Sequence, residues 1–219
     1  SSRWYPGSGL YRNVWLVKSN PTQVAHWGTF VTTPEIAADS ATVEIVTRVE
    51  STEMDKVSVG TDIYELDVTG RKSAMPVARL SAKEGNPVTA AGEQISRLKV
   101  ASPKLWSCEK PQRYVAVTTL MQAGKVVDTY ETPFGIRTAE FTADNGFLLN
   151  GKRVYLKGVC NHHDLGALGA AFNVRAAQRQ LEIMQEMGVN ALRTSHNPPA
   201  PELLDLCDQM GVLVMVESF

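Results

Sequence analysis

Short stretches in which apolar and polar residues alternate follow one another from about residue 22 to residue 138. In residues 42–50, for example, four residues with β-forming side chains alternate with Glu44 and Arg48, which is typical of an antiparallel strand with one buried face. Turn sequences such as residues 67–70 and 122–125 separate such stretches. The pattern predicts seven strands, at residues 23–31, 42–50, 57–67, 77–82, 93–100, 113–122 and 125–137. So many short strands without helical periodicity favour an immunoglobulin-like β-sandwich over residues 20–138.

Beyond about residue 139 the pattern changes to strands that alternate with helices. Asn145-Gly146 and Asn150-Gly151 predict tight hairpin turns. The predicted elements after them are a strand at 153–157, a helix from the N-cap Asn173 to about 187, a strand at 189–193, a helix at 201–210 and a strand at 212–216. This β-α-β-α-β order predicts a parallel sheet, either of a barrel or of a doubly wound fold. Because three strands complete neither fold, we expect the chain to be a fragment of a longer protein.

The first residues predict one more strand. A Gly7-Ser8-Gly9 turn precedes an alternating stretch up to residue 18, with apolar Leu10, Val14 and Leu16. One strand cannot fold alone. We therefore interpret residues 1–19 as the tail strand of a domain that lies upstream.

Composition and charge exclude several function classes. The chain is 43% apolar and 21% charged, and its formal net charge is −1, so we expect neither a nucleic-acid nor a membrane partner. Three cysteines without a CxxC pair predict neither a disulfide framework nor a zinc site. No signal peptide is visible, and the sequence leaves the compartment open, with a periplasmic or secreted location both compatible.

Two short polar runs carry most of the candidate chemistry. They are GVCNHHD at residues 158–164 and RTSHNPP at residues 193–199, and they contain three of the four histidines. Each run is predicted to follow a strand. Because α/β barrels build their sites at the C-terminal ends of parallel strands, we expect the two runs to form one site.

Four stretches together resemble the family 2 glycoside hydrolases, the group of β-galactosidases, β-glucuronidases and β-mannosidases. The stretch at 6–16 is similar to the close of the family's N-terminal sugar-binding jelly roll. Residues 102–107 with Tyr114 and 134–137 look like the last strands of its immunoglobulin-like domain. NGK at 150–152, read through to 159, resembles the entry to its catalytic barrel, and ALRTSHNP at 191–198 matches the arginine–x–serine–histidine–x–proline stretch after the second barrel strand. The four stretches follow the family's order.

The resemblance implies a fold and an activity. Residues 20–138 would form the immunoglobulin-like sandwich and residues 139–219 the first βαβαβ part of a truncated (β/α)8 barrel. The longer protein would be a retaining β-glycosidase, which needs two carboxyl groups roughly 5–5.5 Å apart. In the family these are glutamates after the fourth and seventh barrel strands, so we expect both beyond residue 219 and the chain alone to be inactive.

The chain departs from the common family form at three positions. Cys160 stands where asparagine is usual, His163 where an acid is usual and Asn197 where tyrosine is frequent. The variant with His163-Asp164 looks like the galactosidase-type members. The resemblance therefore favours a β-galactoside as substrate.

Five residues are predicted to bind the sugar, and a specific structural role remains open as an alternative for three of them. By the resemblance, His162 and His196 lie in the sugar subsite, where a neutral imidazole can donate to a hydroxyl; His196 could instead cap the second helix or bond a loop carbonyl. Arg193, at the end of a buried strand, needs a carboxylate partner, for which Glu217 and a residue beyond the chain are both candidates. A purely structural ion pair is the alternative to a sugar contact for Arg193. Asp164 could bind sugar hydroxyls or form a turn. Asn197 completes the predicted set, whereas His163 could simply pack or face solvent.

We predict no metal and no cofactor. His162, His163 and Asp164 are adjacent, and neighbours on an extended chain point to opposite faces, so they cannot form a tight ligand set alone. The Mg²⁺ ligands of some family members would lie beyond residue 219. Oligomeric state stays open, with a homo-oligomer of the longer protein compatible with the sequence.

A non-enzymatic carbohydrate-binding or adhesion module is the alternative function. It would use the sandwich, which shows no aromatic cluster on one strand face in the sequence. Trp15 and Trp106 match framework positions of the family, so we expect them to pack in the fold and not to stack on sugars.

Overall fold

The computed structural model describes residues 10, 12–82 and 88–218. They form two compact units. The sandwich unit comprises Val17–Trp106 and Gln112–Ala139. The α/β unit comprises Ser107–Pro111, Glu140–Phe219 and Ser1–Leu16, as far as these ranges are described.

Seven antiparallel strands build the sandwich unit. They are β1 (Gln23–Ile36), β2 (Ser40–Glu50), β3 (Val57–Leu66), β4 (Ala78–Leu80), β5 (Glu93–Ala101), β6 (Arg113–Gln122) and β7 (Lys125–Phe134). One sheet has the order β1-β2-β5 and the other the order β4-β3-β6-β7. All seven predicted strands are confirmed. The largest differences are that β1 continues to Ile36 and that β7 ends at Phe134.

A shared apolar core joins the two sheets face to face. Val43 and Ile45 of β2 are fully buried in one cluster with Ile63 of β3 and Tyr114 of β6. The Tyr114 hydroxyl accepts a hydrogen bond from the backbone N–H of Lys104 (2.8 Å), and burial raises its pKa. Each fully buried aliphatic side chain stabilises the fold by about 1.5–3 kcal/mol. Burial of every second side chain therefore explains both the alternation in the sequence and the packing of the two sheets.

The two tryptophans expected to pack behave differently. Trp106 is only 2% exposed and lies against Gly135, where a Cβ would come within 3.0 Å of the indole side chain. Trp15 is 77% exposed. The expected packing is therefore confirmed for Trp106, whereas Trp15 is exposed within the described chain.

The strand predicted near the N-terminus is not formed in its described part. Residues 12–20 carry no strand assignment, and Leu10, Val14 and Leu16 are 90%, 75% and 98% exposed. A strand requires a neighbour for its backbone hydrogen bonds, and none of the described strands pairs with this stretch. The predicted glycine turn at 7–9 lies outside the described residues.

The second part of the chain contains a small hairpin sheet followed by a parallel sheet with two helices. The hairpin strands are β8 (Ala139–Thr142), β9 (Gly146–Leu149) and β10 (Lys152–Arg153). The parallel sheet has the order β11-β12-β13, from β11 (Gly158–His162), β12 (Ala191–Ser195) and β13 (Leu213–Met215), with α1 (Val174–Glu186) and α2 (Pro201–Met210) between them. The predicted β-α-β-α-β order is confirmed.

The first parallel strand lies five positions later than predicted. Asn150 and Gly151 both have positive φ (53° and 71°), as a two-residue hairpin turn requires, and this turn pairs Lys152 with Leu149. Residues 154–157 carry no strand. Instead, the side-chain amide of Asn190 donates to the Tyr155 carbonyl (3.0 Å) and accepts from the Lys157 N–H (2.8 Å). The predicted strand at 153–157 is therefore wrong, and the strand is the first histidine run itself.

Both helices begin and end as their sequences predict. The Asn173 side chain accepts from the Ala176 N–H (3.0 Å) and so caps α1. Gly211 ends α2 in the left-handed conformation. The apolar faces of the helices pack on the sheet in a cluster of Ala177, Leu181, Leu192, Leu206, Cys207 and Val212. No helix in the described part of the chain is long and apolar enough to cross a membrane.

Candidate functional site

The parallel sheet has one face for the helices and one polar face. Leu192 is buried among the helix residues, so its neighbours Arg193 and, two residues on, Ser195 lie on the opposite side. Cys160 pairs in register with Arg193, and His162 with Ser195. These four side chains, Cys160, His162, Arg193 and Ser195, form what we call the polar face. The four residues lie within β11 and β12 and extend to their C-terminal ends, whereas the sequence predicted that the first run would follow its strand.

Arg193 is the centre of the polar face. Its Nη1 donates to the Cys160 sulfur (3.3 Å) and is 3.5 Å from the Ser195 hydroxyl. Its Nη2 donates to Oε1 of Glu217. The hydrogen bond to Cys160 and the charge of Glu217 raise the pKa of Arg193. The predicted pairing of Arg193 with Glu217 is confirmed.

Glu217 is held in place by the neighbouring strand and in turn contacts a histidine. Its backbone N–H donates to the Thr194 hydroxyl (3.1 Å), which fixes the chain after β13 beside β12. Its Oε2 lies 2.9 Å from Nδ1 of His196. A proton on Nδ1 would donate to this carboxylate and leave Nε2 available to a ligand. The peptide bond between Ser195 and His196 is cis.

His162 joins the same group through its ring. The imidazoles of His162 and His196 meet edge to face, with centroids 5.4 Å apart and an interplanar angle of 86°. Two imidazoles, a guanidinium and a carboxylate therefore converge at the ends of β11, β12 and β13. Three of the five predicted residues, His162, Arg193 and His196, are brought together.

Cys160 is an exposed thiol in this group. Hydrogen bonds from Arg193 and Ser195 lower its pKa, whereas the negative charge of Glu217 acts in the opposite direction. Cys207, by contrast, is buried in the helix core, and burial raises its pKa to about 12.

The remaining predicted residues lie toward the helices. The Asn197 side-chain amide is 3.3 Å from Nδ1 of His163 and can donate to it, and burial, followed by the charge of Arg12, lowers the pKa of His163. Asp164 contributes its backbone carbonyl, which accepts from the Gln180 side chain (3.2 Å). A cavity of about 30 Å³ lies here, with Asn161, His163, Gln180, Thr194 and Asn197 among its polar lining residues.

Sequence reasoning missed part of this arrangement. It named Glu217 only as a partner of Arg193, and the contact with His196 joins residues 21 positions apart. Gln180 lies on α1 inside an ordinary amphipathic pattern, so nothing in the sequence marks it. Within the described ranges, no three or more His, Cys, Asp and Glu side chains are grouped so that they could hold a metal ion.

The arrangement is suited to a ligand with many hydroxyl groups. The charge of Arg193 is balanced by Glu217, while the imidazoles can donate or accept hydrogen bonds without a net charge. Polar groups of this kind at the C-terminal ends of parallel strands are where α/β barrels bind substrates.

Comparison with known proteins gives the same family along most of the chain. The model of "Glycosyl hydrolases family 2" matches residues 25–137, and that of "Glycosyl hydrolases family 2, TIM barrel domain" matches residues 142–218. The first covers the sandwich strands from residue 25 onward, and the second covers the chain from the end of β8 through the parallel sheet. A β-sandwich followed by the start of a TIM barrel is therefore the architecture of this chain.

Individual relatives agree with the family models. A β-galactosidase of Bacteroides ovatus is 46% identical over 100% of this chain and 25% of its own length. A putative β-glucuronidase of Formosa agariphila is 35% identical over 100% of this chain and 20% of its own length. The crystal structure of a glycosyl hydrolase family 2 member from Bacteroides cellulosilyticus superposes with a TM-score of 0.87 at 42% identity, covering 99% of this chain and 29% of that chain.

The chain thus spans about a quarter of the length of the relatives that it matches. The match to them nevertheless covers 99–100% of this chain, so it includes both polar runs. The chain belongs to glycosyl hydrolase family 2.

Proposed function

We propose that this chain is part of a retaining β-glycosidase and that its polar face forms one wall of the sugar subsite. The observation that carries the proposal is the convergence of His162, Arg193 and His196 around Glu217 at the strand ends. In this role His196 offers Nε2 to a sugar hydroxyl, because Glu217 occupies its Nδ1. Arg193 supports the site by charge and orientation, without proton transfer.

A β-galactoside is the substrate that we propose. A glucuronide carries a carboxylate, which would require a cation that is not already neutralised, whereas Arg193 is paired with Glu217. A neutral sugar fits this charge balance better. The name of the Bacteroides ovatus relative supports the same choice, although other relatives are named β-glucuronidases.

The remaining assignments complete the proposal. The two catalytic glutamates belong to barrel strands beyond residue 219, so the 219-residue chain alone should not hydrolyse glycosides. Asp164 and Asn197 remain predicted sugar contacts. We assign residues 20–138 to an immunoglobulin-like domain. The bond from Lys104 to the hydroxyl of Tyr114, near the start of β6, supports this, because immunoglobulin-like sandwiches use a tyrosine corner of this kind.

The test is to express the chain with its N-terminal domain and an extension of about 200–250 residues, enough to close a (β/α)8 barrel. The protein should hydrolyse an aryl β-galactoside faster than the matching glucuronide or mannoside, and NMR should show retention at the anomeric carbon. The 219-residue chain serves as the inactive control. Faster hydrolysis of the glucuronide would overturn the sugar assignment alone, and no hydrolysis of any of the three would overturn the enzyme assignment.

A second candidate function is glycan binding by the sandwich unit. Trp27 and Phe30 of β1 are 73% and 67% exposed, and the ring of Trp27 stacks on His26 with centroids 5.0 Å apart. Exposed aromatic rings can stack on sugars, and the sequence alone did not mark either ring as exposed. Calorimetry of the 219-residue chain with galactose, lactose and polysaccharides would favour this candidate if Trp27→Ala abolished the heat and His196→Ala did not.

A further inference from the structure

The sulfur of Cys160 accepts a hydrogen bond from the guanidinium of Arg193. Cys160 and Arg193 are register partners on adjacent parallel strands, so their side chains leave the same face side by side. The distance from Nη1 to the sulfur is 3.3 Å, which is short for a hydrogen bond to sulfur. The other acceptor of Nη1 is the Ser195 hydroxyl at 3.5 Å, near the upper limit for a hydrogen bond. Cys160 is therefore the better partner of Nη1.

Because the guanidinium of Arg193 is planar, its contact with Cys160 fixes the orientation of the whole group. The two terminal nitrogens of Arg193 lie in one rigid fork, so a partner on Nη1 also fixes the direction of Nη2. Nη2 donates to Oε1 of Glu217, and Oε2 of the same carboxylate contacts His196. A change at Cys160 is thus connected to His196 through two intervening side chains.

We propose that Cys160 is a positioning residue of the sugar subsite, whose sulfur holds the Arg193 guanidinium in the orientation that places Glu217 against His196. The reference to a sugar rests on the proposed function. The chain of contacts from Cys160 to His196 does not, and it can be tested on the 219-residue chain.

The charges around Cys160 determine what the test should show. Arg193 and Ser195 from β12 and Glu217 after β13 act on it, and His162 lies two residues further along its own strand. Arg193 favours the thiolate and Glu217 disfavours it. Removing Arg193 should therefore make the thiol less reactive, and neutralising Glu217 should make it more reactive, since the thiolate is the nucleophile.

The first measurement is the rate of alkylation by iodoacetamide as a function of pH, in a Cys108→Ser background, read by mass spectrometry of the peptides. Relative to this background, Arg193→Gln should lower the rate at Cys160 about threefold at pH 7.5, and Glu217→Gln should raise it about threefold. The midpoint of the pH profile should move up in the first variant and down in the second. Unchanged profiles, or shifts in the same direction, would contradict the coupling.

Cys207 supplies the folding control within the same sample. It is 1% exposed, so its alkylation reports unfolding. If Cys207 reacts in Arg193→Gln, that variant is partly unfolded and is replaced by the milder Arg193→Lys. Lysine keeps the charge but lacks the two terminal nitrogens of the planar guanidinium. In that variant the reactivity of Cys160 should lie between those of the background and Arg193→Gln.

The second measurement separates positioning from mere packing. In NMR spectra of the histidine side chains, Cys160→Ser should keep the ring signals of His196, because a hydroxyl can still accept from Nη1, whereas Cys160→Ala should shift them. Identical spectra for both variants would overturn the proposal.

The extended enzyme gives the corresponding kinetic readout. Cys160→Ala should raise KM for the aryl glycoside several-fold with a smaller change in kcat, and Cys160→Ser should stay within about twofold of the parent. An extended enzyme that hydrolyses nothing would count against the proposed function, while the alkylation and NMR results would still decide the role of Cys160.

Discussion

At the scale of single residues, the site depends on one carboxylate that serves two partners. Glu217 accepts from Arg193 with one oxygen and contacts His196 with the other. Its side chain is 20% exposed, that of Arg193 37% and that of His196 45%. At this exposure solvent screens the ion pair, so its contribution to global stability is small. Its importance lies in where it places the two nitrogen-bearing side chains.

Loss of the guanidinium should therefore affect activity more than stability. In the extended enzyme we expect Arg193→Gln to reduce kcat/KM about ten- to a hundredfold, because a hydrogen bond to a charged group is lost. The matched control is Arg175→Gln, which removes an exposed ion pair with Glu182 on α1 and should leave kcat/KM unchanged. Equal effects of the two substitutions, measured with the same aryl glycoside, would contradict the role of Arg193.

Also at the residue scale, Asp67 makes a pH-dependent contribution to the stability of the fold. Its Oδ1 accepts from the Thr69 N–H (2.8 Å), the Thr69 hydroxyl (2.7 Å) and the Arg71 N–H (2.9 Å). These bonds, that from the Thr69 hydroxyl most of all, lower its pKa below the ordinary value of 3.8. A depressed carboxyl pKa stabilises the fold above the unfolded pKa, and this stabilisation is lost as the pH falls through the folded value.

We thus expect the melting temperature of the chain to fall more steeply below about pH 4 than that of Asp67→Ala. Above pH 5 the variant should melt at a lower temperature than the parent. Calorimetric scans between pH 2.5 and pH 6 would show the difference. Parallel curves for the two proteins would rule out a contribution from this carboxylate.

At the scale of elements, two buried threonines of the sandwich are positions where a substitution should stabilise the fold. Thr61 of β3 and Thr118 of β6 are register partners and are 1% and 0% exposed. Neither hydroxyl finds a hydrogen-bond partner among the described residues. A buried polar group without a partner costs about 1–3 kcal/mol, whereas a valine of similar shape has no such cost.

Each of Thr61→Val and Thr118→Val should raise the free energy of unfolding by about 1 kcal/mol. The control is Thr22→Val: the Thr22 hydroxyl bonds the Ser51 hydroxyl (2.8 Å), so this substitution should lower stability. Urea unfolding followed by fluorescence gives all three values. A loss of stability in the first two variants would mean that their hydroxyls are satisfied in solution.

The same scale shows where prediction from sequence ends. The sandwich strands could be predicted because their buried faces repeat every second residue, and the helix ends because Asn173 and Gly211 act within one turn. The first parallel strand could not, because residues 153–157 are as strand-like as residues 158–162. In the structure, residues 155 and 157 are bonded to the side chain of Asn190, more than thirty residues away. His196 and Glu217 meet for an equally non-local reason, which no spacing along the chain encodes.

At the scale of the whole molecule, the parallel sheet presents apolar side chains that a longer barrel would cover. Met215 of β13 and Val216, directly after it, are 64% and 51% exposed. A parallel strand is normally buried on both faces. The proposed extension of the chain supplies the further strands that would pair with β13.

Hydrogen exchange should report that pairing directly. Backbone amides of residues 213–217 should exchange at least about tenfold more slowly in the extended protein than in the 219-residue chain, while amides of β6, at the centre of the sandwich, should not change. Equal exchange of residues 213–217 in both proteins would mean that the extension does not continue the sheet at β13.

The hydrogen bonds of Asn190 with residues 155 and 157 bear on which side chains of β11 lie on the polar face. Side chains alternate along a strand, so a slip of β11 by one residue against β12 would turn every one of its side chains to the opposite surface. Asn161 and His163 would then face Arg193, and Cys160 and His162 would be buried against the helices. The amide of Asn190 at the base of the strand thus helps to fix which of two adjacent histidines, His162 or His163, lies on the same face as Arg193.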